Sequence, residues 1–343
     1  MLGLVKTKSQ PGLDLLEVKK PKLLPGEVLV KVKAAGICGS DIHIFDWSPS
    51  YKWMERYLPL IPGHEFSGII EKKDRQIQSL QEGDRVVCLP GIGCGKCSLC
   101  QRGLIAICPE NRAVGLHRNG AFAEYVALPA ESCTVIDENV SFDIAALTEP
   151  LTVSKHAVER AGLLKGDKVA VLGCGMIGLG VAFFATIENA NVWVFGKNND
   201  QGKFPAARVL GVKACINIDQ EDMLKSSKEI TNDDGFDVVF ETSGAIEAAN
   251  NAISIARNGG KVVALGIYSK NIEFDLTAMV RQEKDLITSY GYTKQAWEKV
   301  TSMLSEYSSV LQNLISATFT LEDWRKAFDF AKTQTGIKVI IHP

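Results

Sequence analysis

At 343 residues the chain is longer than most single domains, so two domains are expected. Its composition is that of a globular protein, 46% hydrophobic and 23% charged, with 38 basic against 40 acidic side chains and a net charge of −2. That balance argues against a nucleic-acid footprint, which needs a basic face, and no run of about 18 apolar residues is present to cross a membrane. The opening Met1-Leu2-Gly3-Leu4-Val5-Lys6 lacks the charged-then-apolar layout of a secretory leader. Nine cysteines is an odd count, and four of them fall within residues 94–108. Such crowding fits thiolate ligation of a metal in a reducing cytoplasm better than a disulfide framework.

Residues 1–35 read as short β-strands joined by turns. Pro25-Gly26 is a turn signal, and Glu27-Val28-Leu29-Val30-Lys31-Val32-Lys33 alternates as a half-buried strand does. The strand leads to Gly36-Ile37-Cys38-Gly39-Ser40-Asp41. Between residues 46 and 62 lies an aromatic loop with Trp47, Tyr51, Trp53 and Tyr57, either packed on a neighbouring lobe or walling a substrate pocket. Lys52 and Arg56 in the same loop either meet a phosphate or face water. Then Ile61-Pro62-Gly63-His64-Glu65-Phe66 sets two metal-competent side chains next to each other. With Cys38 upstream and Glu149 downstream they make one thiolate, one imidazole and one or two carboxylates, a mixed set that suits zinc. Taken singly, each has a plainer reading: a buried free cysteine, an exposed His-Glu pair.

Gly83-Asp84-Arg85-Val86-Val87 is a turn entering a strand. The cysteines follow as C-x2-C-x2-C-x7-C: Cys94, Cys97, Cys100 and Cys108, with Gly95 and Lys96 between the first two. Four thiolates form a closed tetrahedral zinc site with no open position. An iron–sulfur cluster is the chemical rival at this spacing. The expected role is to pin a surface lobe through metal-coupled folding. Gly120-Ala121-Phe122-Ala123-Glu124-Tyr125-Val126 reads as another strand, and Thr148-Glu149-Pro150-Leu151 as a loop entering a helix. From about residue 153 strands and helices alternate.

Lys168-Val169-Ala170-Val171-Leu172 is a short apolar strand, and Gly173-Cys174-Gly175-Met176-Ile177-Gly178 follows at once, opening a helical run. G-x-G-x-x-G is weak alone, but here it has the strand-before, helix-after setting that dinucleotide binding requires. The helix N-terminus then offers its free N–H groups to a pyrophosphate. The second strand, Asn191-Val192-Trp193-Val194-Phe195, should end near an acid for the adenosine ribose. It runs instead into Gly196-Lys197-Asn198-Asn199-Asp200, with Asn198 near the acid's place. Lys197 and Lys203 would favour a 2′-phosphate, whereas Asp200 would hold the ribose and repel it, so NAD and NADP both stay open. Strands at 236–241 and 261–266 extend a parallel βαβ sheet, placing Thr242-Ser243-Gly244 and Leu265-Gly266-Ile267 along the cofactor site. From Lys294 onward two helices and a last strand, 337–341, are expected to return to the first lobe.

Laid out this way, the chain resembles the zinc-dependent medium-chain dehydrogenases of the alcohol dehydrogenase superfamily over nearly its whole length. The resemblance rests on Cys38-Gly39-Ser40-Asp41-Ile42-His43, Gly63-His64-Glu65, the cysteine quartet, Glu149-Pro150 and the glycine motif. Its pattern is nearest to the polyol branch, sorbitol and galactitol-phosphate dehydrogenases, and to L-threonine dehydrogenase. The resemblance implies an α/β architecture: a GroES-like, mostly-β catalytic domain at 1–153 and 294–343, interrupted by a Rossmann doubly wound parallel-sheet domain at 154–293. It implies two Zn2+ per chain, NAD or NADP, a cytoplasmic homodimer or homotetramer, and a small-molecule polyol substrate. Carried over by position, Cys38, His64 and Glu65 resemble catalytic-zinc ligands, and Glu149 the carboxylate that binds that zinc directly or through water. Ser40 and His43 match a proton-relay pair. Gly173, Gly175, Ile177 and Gly178 match the dinucleotide turn, and Lys203, with the departure at Asn198, the ribose end. Leu265, Gly266, Ile267, Ser289 and Tyr290 match the nicotinamide half.

The expected reaction is oxidation of a secondary alcohol to a ketone, with Ser40 passing the hydroxyl proton toward His43 and solvent. L-threonine-type amino-alcohol oxidation is an alternative. A zinc-free quinone-reductase-like member would lack the cysteine quartet and the Cys38/His64 pair. A non-catalytic dinucleotide-binding protein is disfavoured by the presence of Ser40, His43 and Glu149.

Overall fold

A computed structural model describes residues 1–343 and divides them into two compact units. Unit 1 holds Met1–Glu149, Tyr292–Thr333 and Lys338–Pro343; unit 2 holds Pro150–Gly291 and Gln334–Ile337.

Unit 1 is built on a seven-stranded sheet around the strand Glu27–Gly36. Glu65–Lys73 pairs antiparallel along one edge of that strand, while Tyr125–Pro129 and Lys338–His342 share the other. The apolar residues of these strands, Val28, Val30, Val32, Phe66 and Ile341 among them, form one buried cluster with Phe122, Trp324 and Phe328. Each large side chain so buried contributes about 1.5–3 kcal/mol. Two sequence expectations need correction. The strand expected from Gly120 starts only at Tyr125, because residues 120–122 turn back on Ile61, Pro62 and Gly63 through backbone hydrogen bonds. The tail contains a further strand, Ile315–Thr320, parallel to Lys338–His342; it alternates half-buried and exposed residues, a weaker pattern than the two helices beside it.

Register in this sheet positions chemistry. Gly36 lies opposite Glu65 on one side and Ile340 on the other. A side chain at Gly36 would collide with Glu65 Oε2, so only glycine lets the Glu65 carboxylate cross toward the last strand.

Unit 2 is a six-stranded, all-parallel sheet in the order 214–217, 191–196, 168–172, 236–241, 256–264, 285–288. The order reverses between 168–172 and 236–241, and the glycine motif follows the first of these, at the switch point where such sheets bind ligands. The helix Thr148–Ala161 starts earlier than the sequence suggests; Pro150 is tolerated because it falls in the first turn, where its missing N–H costs nothing. No helix is long and apolar enough to cross a membrane.

Candidate active site and metal centres

Cys38 ends the connection from the strand Glu27–Gly36 and is the N-cap residue of the helix Gly39–Asp46. His64 and Glu65 open the neighbouring strand. Ligand atoms of Cys38, His64 and Glu65 all lie within 4.8 Å of one another. Two buried groups, Asp41 and Lys338, hold them there. Asp41 Oδ2 accepts the Cys38 N–H at 2.9 Å, and its Oδ1 accepts the Gly63 N–H at 3.3 Å and lies 3.8 Å from His64 Nδ1. Such a carboxylate behind an imidazole orients a metal-binding histidine. Lys338 Nζ, itself buried, pairs with Glu65 Oε2 at 2.5 Å and donates to Ile37 O at 3.0 Å.

The site is built for a cation. Glu65 Oε1 is buried with no hydrogen-bond partner, an arrangement that costs free energy unless another group satisfies it. Burial opposes protonation of His64, yet the Cys38 sulfur and the Asp41 and Glu149 carboxylates outweigh it and raise its pKa well above the usual value. Burial pushes the Glu149 carboxyl up to about 7, His64 opposing and the Glu65 charge adding to the rise. Glu149 stands outside the 4.8 Å set but close enough to share its electrostatics. Four potential anions against one buried lysine is a donor set that a divalent ion fits.

The relay expected between Ser40 and His43 is arranged differently. Ser40 Oγ accepts the Tyr51 O–H at 2.8 Å. His43 Nδ1 lies 3.0 Å from Ser48 Oγ, and its ring stacks on Tyr51 with centroids 5.7 Å apart and an interplanar angle of 12°. Tyr51 therefore stands between the two. It belongs to a 3-10 segment, Pro49–Tyr57, whose aromatic rings continue from Tyr51 to Trp53 and on to His117 and Tyr57. Arg56 sits over the Tyr57 ring.

The second candidate metal centre is local. Cys94, Cys97, Cys100 and Cys108 place their sulfurs within 4.8 Å of one another, with Cys97 Sγ and Cys108 Sγ 3.8 Å apart. Two thiolates at about 2.3 Å from one tetrahedral zinc are about 3.8 Å apart. That spacing fits a single ion and is too tight for sulfurs borne on separate irons of a cluster. The Cys97 N–H points at Cys94 Sγ and the Cys100 N–H at Cys97 Sγ, both at 3.4 Å, and the Cys100 N–H is the main cause that lowers the Cys97 thiol to about 7.

In unit 2, a Cβ at Gly178 would collide with the Gly173 carbonyl, whereas one at Gly175 would meet nothing within 4 Å. The first fact enforces close packing of the turn on its helix; the second leaves open space above the helix N-terminus for a pyrophosphate. Ile177 follows Gly175 in the first turn of that helix. Glu241, fully buried at a strand end, accepts from the N–H groups of Ser243 and Gly244 at 2.8 and 3.1 Å and from Tyr268 O–H at 2.5 Å. It thus ties the 242–244 loop to the Leu265, Gly266 and Ile267 loop. Ser289 Oγ is buried without a partner, and Ile267 and Tyr290 are exposed.

Residues 24–138 match the alcohol dehydrogenase GroES-like domain, and residues 177–306 match the zinc-binding dehydrogenase domain. The chain is 33% identical to a sorbitol dehydrogenase of Halalkalibacterium halodurans, across 100% of this chain and 99% of that protein. It is 32% identical to an L-threonine 3-dehydrogenase of Bacillus licheniformis, with the same coverage of 100% and 99%. The chain belongs to the zinc-binding alcohol dehydrogenase family. Its fold matches galactitol-1-phosphate dehydrogenase of Escherichia coli with a TM-score of 0.90 at 25% identity, covering 100% of each chain. It is a GroES-like plus Rossmann dehydrogenase that uses zinc and NAD or NADP.

Three residues of the candidate site escape sequence reasoning. Asp41 looks like a helix-cap acid three residues past Cys38, and that spacing was the available signal. Tyr51 is one of several aromatics in its loop. Lys338 lies 273 residues from Glu65, and only the sheet register joins them.

Proposed function

We propose that the chain oxidises a secondary alcohol of a polyol or sugar alcohol, free or phosphorylated, to the ketone and passes hydride to NAD(P). The observation that carries this is the Cys38, His64 and Glu65 set, half-buried at Cys38 and buried at the other two, with Glu65 Oε1 left unpartnered. These three residues would hold the catalytic zinc, with Glu149 as the further carboxylate that binds directly or through water. When bound, zinc supplies a Lewis acid that lowers the pKa of a substrate hydroxyl. A mixed shell with a second carboxylate leaves room for a neighbouring hydroxyl, which favours a vicinal diol.

Ser40 receives the substrate's hydroxyl proton. Its oxygen already accepts the Tyr51 O–H, so its own proton is directed away from that bond. Outward transfer needs that bond to reverse: Tyr51 releases its hydroxyl proton toward solvent beside the exposed His43 ring, its oxygen then accepts the Ser40 proton, and Ser40 takes the proton of the substrate hydroxyl. Gly173, Gly175 and Gly178 seat the pyrophosphate, Asn198 and Lys203 lie at the ribose end, and Leu265–Ile267 with Ser289 and Tyr290 line the nicotinamide half. The cofactor itself carries the hydride chemistry.

The second reading, oxidation of the L-threonine hydroxyl, is supported by the 32% identity to an L-threonine 3-dehydrogenase. An assembly of two or four chains belongs to the same proposal. It is supported by the strand Asp285–Thr288, which ends the unit 2 sheet, and by exposed Leu286, Phe274, Leu276 and Val280 around it, an edge that proteins normally cover. The cytoplasm is the expected compartment for its many free thiols.

The deciding experiment follows nicotinamide reduction by the zinc-loaded protein with free polyols, polyol phosphates and L-threonine, each with NAD and with NADP. Turnover of one polyol class is expected. Turnover confined to L-threonine would move the assignment to the second reading, and turnover of simple primary alcohols alone would remove both.

A further inference from the structure

The strand Asn191–Gly196 ends where a dinucleotide-binding sheet usually presents an acid, and this chain has Asn198 there. The next strand fills the gap. Beyond Ala214–Asn217 the chain turns back, and Asp219 Oδ2 accepts the Asn198 backbone N–H at 2.8 Å. The turn is held rigidly. Asp219 N donates to Asn217 Oδ1 at 3.1 Å, while Asn217 Nδ2 and Gln220 Nε2 donate to Asn198 Oδ1 at 2.9 and 3.2 Å. Asn198 and Asp219 are both exposed, so a carboxylate faces solvent beside the position of the missing acid.

The cations nearby are differently placed. Lys203 is buried and pairs with Asp200 Oδ1 at 2.8 Å. The other Asp200 oxygen accepts the Lys197 N–H at 2.9 Å. Asp200 and Lys203 therefore neutralise each other and are committed to the local turn. That leaves Lys197 as an exposed, flexible cation and Asp219 as a fixed anion. A fixed charge selects more strongly than a solvated flexible one, which must lose side-chain entropy to act.

We infer that Asp219 is the specificity-determining acid of the cofactor site: it accepts a hydroxyl of the adenosine ribose and repels a 2′-phosphate, so the enzyme prefers NAD to NADP. One oxygen of Asp219 is engaged by Asn198 N–H, and the other retains its lone pairs for the ribose. The inference rests on the dehydrogenase reading only for the presence of a dinucleotide.

The test is equilibrium binding of NADH and NADPH to the zinc-loaded full chain, read by nicotinamide fluorescence with no alcohol present. The wild type is expected to bind NADH about tenfold or more tightly than NADPH. Asp219→Asn keeps an acceptor for the Asn198 N–H and should shrink that ratio by about tenfold, mainly by tightening NADPH. Lys197→Ala should leave the ratio within roughly twofold. A wild type that prefers NADPH, or a ratio unmoved by Asp219→Asn, overturns the inference while leaving the dehydrogenase reading intact. Absence of binding by either dinucleotide removes that reading and this inference with it.

Discussion

The two metal-ligand sets of unit 1 are built on opposite sequence scales. The cysteine quartet lies within residues 94–108, and the Cys94 and Cys97 sulfurs each take an N–H three residues further along. The Cys38, His64 and Glu65 set draws on two strands and is braced by Lys338, 273 residues from Glu65. A local set can be organised by the ion itself, so metal binding and folding of its lobe are one event. The dispersed set is organised by a sheet that must already exist. On the proposed roles, the difference is in where each ion's free energy would go: into structure in the first case, into chemistry in the second.

The sharpest way to break that contrast is to remove one ligand from each set. Cys38→Ser is expected to lose one of the two zincs and to cut turnover by about 10³-fold or more, with little change in thermal stability. Cys97→Ser should also lose one zinc, but its main effect should be structural: early amide exchange across residues 93–108 and a lower melting temperature. Turnover per remaining zinc should fall less than about tenfold, because no reacting group touches that ion. Metal analysis, calorimetry and amide exchange on both variants decide the matter. If Cys97→Ser abolishes turnover while its lobe stays protected, the division of roles is wrong.

Lys338→Met sharpens the comparison by attacking the brace. The Lys338 and Glu65 side chains are 4% and 1% exposed, so removing the ammonium strands a buried carboxylate. Breaking such a pair costs about 3–5 kcal/mol. Urea unfolding of metal-free protein should show that loss, and zinc should recover part of it by neutralising Glu65. A loss below about 1 kcal/mol, as exposed pairs give, would mean that the lysine does not brace the site.

The same contrast of scale explains what was legible in the sequence. The cysteine quartet and the strand-glycine-helix motif are short runs whose spacing encodes their geometry. The parallel sheet of unit 2 was equally plain, since its strands are continuous apolar runs such as Val169–Leu172 and Val238–Phe240. Partners joined only by register were not. Nothing in the tail marks Lys338 as the counter-ion of Glu65, and nothing near Asn198 marks Asp219, because both contacts arise from strand pairing across distant segments. The relay illustrates the limit most clearly. Ser40 and His43 are three residues apart on one helix, which suggests a direct pair, but the side chain that reaches Ser40 comes from the following 3-10 segment.

That leads to the smallest expected effect, and the one that separates a sequence-level relay from the observed one. Tyr51→Phe keeps the ring that stacks on His43 and deletes only the hydroxyl bonded to Ser40. Zinc content and dinucleotide affinity should not move. The turnover number should fall by about tenfold, at the low end of what a positioned proton-transfer group contributes, because water can replace a half-buried phenol. The solvent isotope effect on turnover should rise as proton release becomes slower. His43→Ala leaves the Ser40–Tyr51 hydrogen bond in place and should cost less. If His43→Ala proves the slower variant and Tyr51→Phe behaves as wild type in both rate and isotope effect, the proton leaves Ser40 by way of His43, and the stacked tyrosine is only a wall.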